Sequence, residues 1–170
     1  LVVIYVTRLT PTSGWALAAY AALGSLLAVA GAGQIPWHGA ILALVGAAFT
    51  WTRLRWPGGA DALVTCAVAC GFGWLGLGVL LLKAIRGEER RELFAGPLPM
   101  YAVLATTGAC LGSGWLAVER GITSRLLAVL AAGAVSYLLA AAERGRRALT
   151  WAALFVVGVD LVLALRFQSP

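Results

Sequence analysis

The sequence predicts an all-α fold, a polytopic transmembrane helical bundle of about six spans, in a single integral membrane domain over residues 1–170. Two observations support this prediction. Hydrophobic residues make up 61% of the chain and charged residues only 12%, which leaves too little polar surface to cover a soluble globule. The apolar residues also fall in runs close to the ~20 residues that a helix needs to cross a bilayer.

One long polar segment, 83–97, divides the chain into two apolar halves, 14–82 and 98–167. We call this segment the charged hinge. Its charged residues are Lys83, Arg86, Glu88, Glu89, Arg90, Arg91 and Glu92. Because an unpaired charge is costly in hydrocarbon, we expect the charged hinge to lie in water or among lipid headgroups.

Three apolar runs precede the charged hinge, at 15–33, 39–54 and 61–82. Pro36 lies between the first two runs and predicts a break there. The third run contains several glycines between Gly71 and Gly78. Glycine at this density either lets another helix approach closely or breaks the helix into a re-entrant hairpin. Two topologies therefore stay open, namely six crossings, or five crossings with one re-entrant segment.

Three further runs follow the charged hinge, at 98–118, 126–142 and 149–165. Most tryptophans lie at or near the ends of runs, as expected for residues at the membrane interface, and only Trp74 lies deep. Six crossings would divide the basic residues almost equally between the two faces of the membrane, so their distribution does not select an orientation.

The two halves also show short self-similar segments, which predict a 3+3 inverted repeat. The corresponding positions are 23–25 with 111–113, Gly46 with Gly133, and Gly71 with Gly158. With three spans per half, the second copy would cross the membrane in the inverted orientation. Inverted repeats of this kind occur in transporters, whose substrate site lies near the midplane of the membrane. A chain rich in alanine, glycine and leucine also produces such matches by chance, so both interpretations stay open.

Asp160 is the main candidate for a functional residue, because it lies inside the sixth run. An ionisable group there costs about 2.5–3.5 kcal/mol unless it is paired, protonated or in a wet cavity. The predicted partners are the hydroxyls of Thr106, Thr107 and Ser113, or a basic side chain from a span end. The pattern predicts either a substrate or ion site, or a protonated aspartic acid that bonds a neighbouring helix.

Small residues within the runs predict close contacts between helices. Gly108 and Gly112 form a GxxxG pattern, which is typical of tight packing between transmembrane helices. We assign the same packing role to Gly24, Gly71 and Gly158.

The sequence predicts no metal site, no cofactor and no nucleic-acid partner. The single histidine, His38, excludes a bis-histidine haem and is badly placed to act as the base for a serine nucleophile in the fourth run. We expect Cys66, Cys70 and Cys110 to be packing residues, since all lie in apolar runs. The basic residues flank those runs, so the net charge of +6 indicates contact with anionic lipid headgroups.

These patterns favour a small transporter or channel for a solute or ion, with Asp160 as the polarising or proton-coupling residue. Two alternatives stay open: a non-catalytic transmembrane subunit or scaffold of a larger complex, and a lipid-processing enzyme with Asp160 in its active site. We expect a multi-pass protein of a bacterial cytoplasmic membrane, surrounded by lipid, with a homo-oligomer or a larger membrane complex as open alternatives for its assembly. The N-terminal residues lack the features of a cleaved signal peptide.

Overall fold

The computed structural model describes residues 10–56, 59–144 and 147–168. Within these ranges the chain is helical apart from short connections, and no strand is present. Six of the helices are long and apolar enough to cross a membrane. The predicted all-α bundle of six spans is therefore confirmed, and a short additional helix lies in the charged hinge.

The helices follow one another with short connections. They are α1 (Pro11–Leu27, continued by a π turn at Ala28–Ala32), α2 (Gln34–Arg55), α3 (Ala60–Ala84), α4 (Glu88–Ala95), α5 (Leu98–Arg120), α6 (Ser124–Arg144) and α7 (Arg147–Gln168). The six long helices alternate in direction. The end of the bundle that holds α4 is called the hinge face below, and the other end is called the opposite face.

The chain reverses between α1 and α2 at glycines. Gly31 and Gly33 have φ values of 94° and 86°, a left-handed conformation that glycine adopts without steric penalty. Pro36 lies in the first turn of α2, where its missing N–H group leaves no helical hydrogen bond unmade. The predicted break between the first two runs is therefore present, but it lies at Gly31 and Gly33, and Pro36 belongs to the first turn of the next helix.

Helix α3 runs without interruption through its glycine-rich part, from Gly71 to Gly78. Its 25 residues span about 37 Å at about 1.5 Å per residue, which exceeds the ~30 Å of a bilayer's hydrocarbon core. The alternative of a re-entrant segment is therefore wrong. Gly71 instead allows a neighbouring helix to approach closely, whereas a Cβ atom added at Gly73 or Gly76 would meet nothing within 4 Å.

The core lies around α3, α5 and α6. Helix α3 packs most extensively on α5, and α6 contacts both of them. Helices α1 and α2 form a hairpin, of which α2 contacts α3. Helices α6 and α7 form a second hairpin. The outer sides of both hairpins expose large apolar residues such as Leu26 and Phe155, as expected for surfaces in contact with lipid chains.

Corresponding helices of the predicted inverted repeat have different surroundings. Helix α3 is covered by several helices, whereas its counterpart α7 contacts α6 and is otherwise largely exposed. The repeat stays a prediction.

Candidate functional site

A buried polar contact joins α3, α5 and α6. The hydroxyl oxygens of Thr106 and Ser136 lie 2.9 Å apart, and both residues are buried. Gly71 faces this pair: a Cβ atom added there would lie 2.7 Å from Oγ1 of Thr106 and 3.3 Å from the carbonyl oxygen of Ala102. Because a hydroxyl both donates and accepts, the two side chains satisfy each other. The contact fixes the position of three helices.

A second polar contact connects α5 to α6 one residue further along. Thr107 donates from Oγ1 to the carbonyl oxygen of Val103 at 2.7 Å, and the same atom lies 2.5 Å from the Tyr137 hydroxyl. Since the Thr107 proton points to Val103, the Tyr137 hydroxyl donates to Thr107. The ring of Tyr137 belongs to an apolar cluster with Ala153 and Val156 of α7. Tyr137 thus connects α5 to α7.

Asp160 lies on the side of α7 that carries Val156 and Leu163, two residues of the cluster between α6 and α7. Its Oδ1 atom is buried and has no hydrogen-bond partner among the residues that the structure describes. A buried carboxyl oxygen without such a partner is destabilising. A proton, a cation or a polar group from outside this chain would supply the missing interaction.

The hydroxyls predicted as partners of Asp160 are placed elsewhere. Thr106 bonds Ser136 and Thr107 bonds Tyr137. The Oγ atom of Ser113 is buried on α5 and, within the described ranges, also lacks a partner. The structure therefore brings none of the three hydroxyls into a hydrogen bond with Asp160.

Three of the glycines predicted for helix packing lie at close contacts. A Cβ atom at Gly24 would lie 2.7 Å from the carbonyl oxygen of Pro36, which belongs to the backbone of α2. At Gly112 it would lie 2.8 Å from Cγ1 of Val64 in α3. Gly71, described above, is the third.

The other two glycines do not lie at such contacts. At Gly108 and Gly158 an added Cβ atom would meet no described atom within 4 Å. No close contact is made there within the described part of the chain, so the packing role of these two glycines stays a prediction. Gly108 borders an open cleft between helices, so only the second glycine of the GxxxG pattern makes a helix contact.

The contacts of three residues of α6 were not predicted from the sequence. Ser136 and Tyr137 bond α5, and a Cβ atom at Gly133 would lie 2.6 Å from Sγ of Cys110. The adjacent serine and tyrosine in an apolar run are a usable signal, because polar side chains in membrane helices commonly bond across to a neighbour.

Two apolar clefts lie on the sides of the bundle. One of about 320 Å³ opens between α2 and α3, and another of about 350 Å³ lies among α2, α3 and α5. Trp74 lines the first cleft, and its buried Nε1 atom has no partner in the described part of the chain. Asp160 borders neither cleft.

At the hinge face, two contacts attach the start of α2 to α4 and α5. Trp37 donates from Nε1 to the carbonyl oxygen of Phe94 at 3.0 Å, and the two rings meet edge to face with centroids 5.4 Å apart. Nδ1 of His38 lies 2.8 Å from the Tyr101 hydroxyl. The chain's single histidine therefore serves as a link between helices.

No protein-family model, characterised protein or solved structure compared with this chain matches it. Within the described ranges, no three side chains of the metal-binding types lie together. The function is therefore argued from the geometry of the site alone.

Proposed function

We propose that this protein is a small transporter or channel in which Asp160 binds a proton or a small cation. The observation that supports this function is the buried Oδ1 atom of Asp160, which has no hydrogen-bond partner in the described chain. An ionisable residue within a membrane helix is costly, and such residues commonly mark an ion or proton pathway. A proton or cation that binds and leaves again would supply the missing partner.

The position of Asp160 on the outermost hairpin also supports transport. Helix α7 contacts mainly α6, so it can move relative to the core without breaking the contacts among α3, α5 and α6. Asp160 precedes Arg166 by about 9 Å along the helix, at about 1.5 Å per residue. A modest shift of α7 would therefore expose the carboxyl group to the opposite face, as alternating access requires.

The test is flux into liposomes that contain the purified protein. Proton entry is followed with a pH-sensitive dye trapped inside, and entry of sodium or potassium with ion-sensitive dyes. Asp160→Asn is expected to abolish the flux. The matched control is Asp61→Asn, which makes the same chemical change in the first turn of α3 and is expected to leave the flux intact. Equal flux in the wild type and Asp160→Asn, or no flux above protein-free liposomes, would contradict the proposal.

A second candidate function is that of a membrane subunit or scaffold, and the exposure of α7 favours it. Phe155 and Leu161 on this helix are 73% and 60% exposed. A partner helix that covered this surface could place a basic side chain beside Asp160, as ionisable residues in membranes often pair with one another.

The two functions are separated by the behaviour of the purified chain. A subunit would extract in mild detergent as a complex with other polypeptides, and Asp160→Leu would release it from them. A transporter would retain flux after purification to a single component. The hypothesis of a lipid-processing enzyme and the bacterial cytoplasmic location both stay predictions from the sequence.

A further inference from the structure

A cleft of about 570 Å³ opens at the hinge face between α1, α2, α3 and the charged hinge. One part of its wall is apolar and another part is basic. The apolar part includes Val29, Leu81, Trp37 and Phe94, and the basic part consists of Arg86 and Arg90. We call it the Arg86–Arg90 cleft.

The local backbone brings the two arginines to the same cleft. Gly87, between them, has a φ value of 104°, which turns the chain from the end of α3 into α4. Arg90 and Phe94 are one helical turn apart on α4 and therefore share a face. The bond from Trp37 to the carbonyl oxygen of Phe94 holds that face against the start of α2.

The two guanidinium groups are available to a ligand. Across the described ranges, neither Arg86 nor Arg90 forms an ion pair or a side-chain hydrogen bond, whereas Arg91 donates to the carbonyl oxygen of Ile85 at 2.7 Å. The carboxylates of Glu88 and Glu92 border a different cleft. Arg86 and Arg90 thus place positive charge at the Arg86–Arg90 cleft, while Glu88 and Glu92 border another cleft.

We propose that the Arg86–Arg90 cleft binds the anionic headgroup of a membrane phospholipid. Guanidinium groups bind phosphate oxygens in pairs of charge-assisted hydrogen bonds, and two of them border this cleft. The apolar wall of Val29 and Leu81 fits the first carbons of the acyl chains. Tryptophan at this depth is typical of the headgroup region. A free phosphate ion would use the basic wall and leave the apolar wall unoccupied, so a lipid is the better fit.

The experiment measures retention of phosphatidylglycerol by native mass spectrometry of the purified full chain, with phosphatidylcholine as the neutral comparison. The test variant is Arg86→Gln with Arg90→Gln. The matched control is Arg53→Gln with Arg55→Gln, which removes the same charge from exposed residues of the opposite face. We expect the test variant to bind phosphatidylglycerol at least about tenfold more weakly, since a hydrogen bond to a charged group contributes enough for a factor of that size. The control variant is expected to bind like the wild type.

Three results would overturn the proposal. Equal losses in the two double variants would show that attraction to overall positive charge, and not the cleft, holds the lipid. Equal retention of phosphatidylcholine would show that the arginines do not recognise an anionic group. Displacement of the lipid by millimolar inorganic phosphate would assign the cleft to a free ion. Unfolding curves of both double variants verify that they fold, which the exposure of all four arginines favours.

Discussion

Gly71 of α3 and Thr106 of α5 approach so closely that a Cβ atom on the glycine would lie 2.7 Å from the threonine Oγ1 atom. Thr106 cannot simply turn away, because its hydroxyl is bonded to Ser136. The next nearest atom, the carbonyl oxygen of Ala102 at 3.3 Å, belongs to the backbone. The absence of a side chain at this position therefore sets the distance between the two central helices.

We expect Gly71→Ala to lower the free energy of unfolding by about 1–3 kcal/mol, the usual effect of overpacking a well-packed core. The control is Gly73→Ala, because a Cβ atom there would meet nothing within 4 Å. This control should be neutral or stabilise by up to about 1 kcal/mol through helix propensity. Unfolding in detergent, followed by circular dichroism, measures both. Similar losses in both variants would mean that α3 needs flexible glycines rather than a close contact.

The GxxxG pattern of α5 provides a second matched pair. Gly112→Ala is expected to destabilise the fold by about 1–3 kcal/mol, because the new methyl group would lie 2.8 Å from Cγ1 of Val64. Gly108→Ala should have no such effect, since that position is open to the adjacent cleft. If Gly108→Ala leaves folding intact but changes the oligomeric mass in detergent, then Gly108 contacts another chain. That result would favour the subunit hypothesis.

Loss of the Trp37 hydrogen bond should loosen the charged hinge. Trp37→Phe keeps an aromatic ring beside Phe94 but removes the donor that bonds its carbonyl oxygen at 3.0 Å. A net loss of about 0.5–1.5 kcal/mol predicts trypsin cleavage within the hinge about 2- to 10-fold faster, because local opening exposes the backbone. Trp151→Phe is the control, since Trp151 is 72% exposed and lies on α7. Unchanged cleavage in Trp37→Phe would show that the ring contact alone holds α4.

Asp160→Leu is expected to raise the thermal midpoint of unfolding. The substitution removes a buried oxygen that has no described partner. Replacing such a group by an apolar one should raise the free energy of unfolding by about 1–3 kcal/mol. Thr106→Val gives the opposite test, because it leaves the Ser136 hydroxyl unpaired and should lower the midpoint. A lower midpoint for Asp160→Leu would mean that Asp160 has a structural partner, which would weaken the proposal of an exchangeable ion site.

The number of helices and their approximate limits could be predicted from the sequence, because the length of an apolar run is set by the thickness of the bilayer. The continuity of α3 could not be predicted. Glycines from Gly71 to Gly78 suit a broken helix as well as a closely packed one, and the sequence does not contain the contact with Thr106 for which Gly71 leaves room. The break at Pro36 was misplaced for a related reason, since proline ends one helix and begins another equally well.

The sequence identified Thr106 and Thr107 as polar residues of the candidate site, but it did not predict which side chains they bond. A sequence gives the depth of a residue along a helix but not the rotation of that helix about its axis. Thr106 and Thr107 are neighbours in sequence and project in directions about 100° apart at 3.6 residues per turn. One therefore bonds Ser136 and the other Tyr137. For the same reason, the sequence does not tell which glycine of the GxxxG pattern faces α3, and within the described chain only Gly112 does so.

Helices α3 and α6 differ in the thickness of membrane that their uncharged stretches match. The uncharged stretch 62–82 of α3 is about 31 Å long, whereas the stretch 126–142 of α6 is about 26 Å long, at about 1.5 Å per residue. A hydrocarbon core of about 30 Å fits the first and exceeds the second, so the bilayer should thin beside the hairpin of α6 and α7. Headgroups and water would then lie about 2 Å nearer to Asp160, since a difference of about 4 Å is shared by the two faces of the bilayer. The short hairpin itself thereby lowers the cost of keeping a carboxyl group within the membrane.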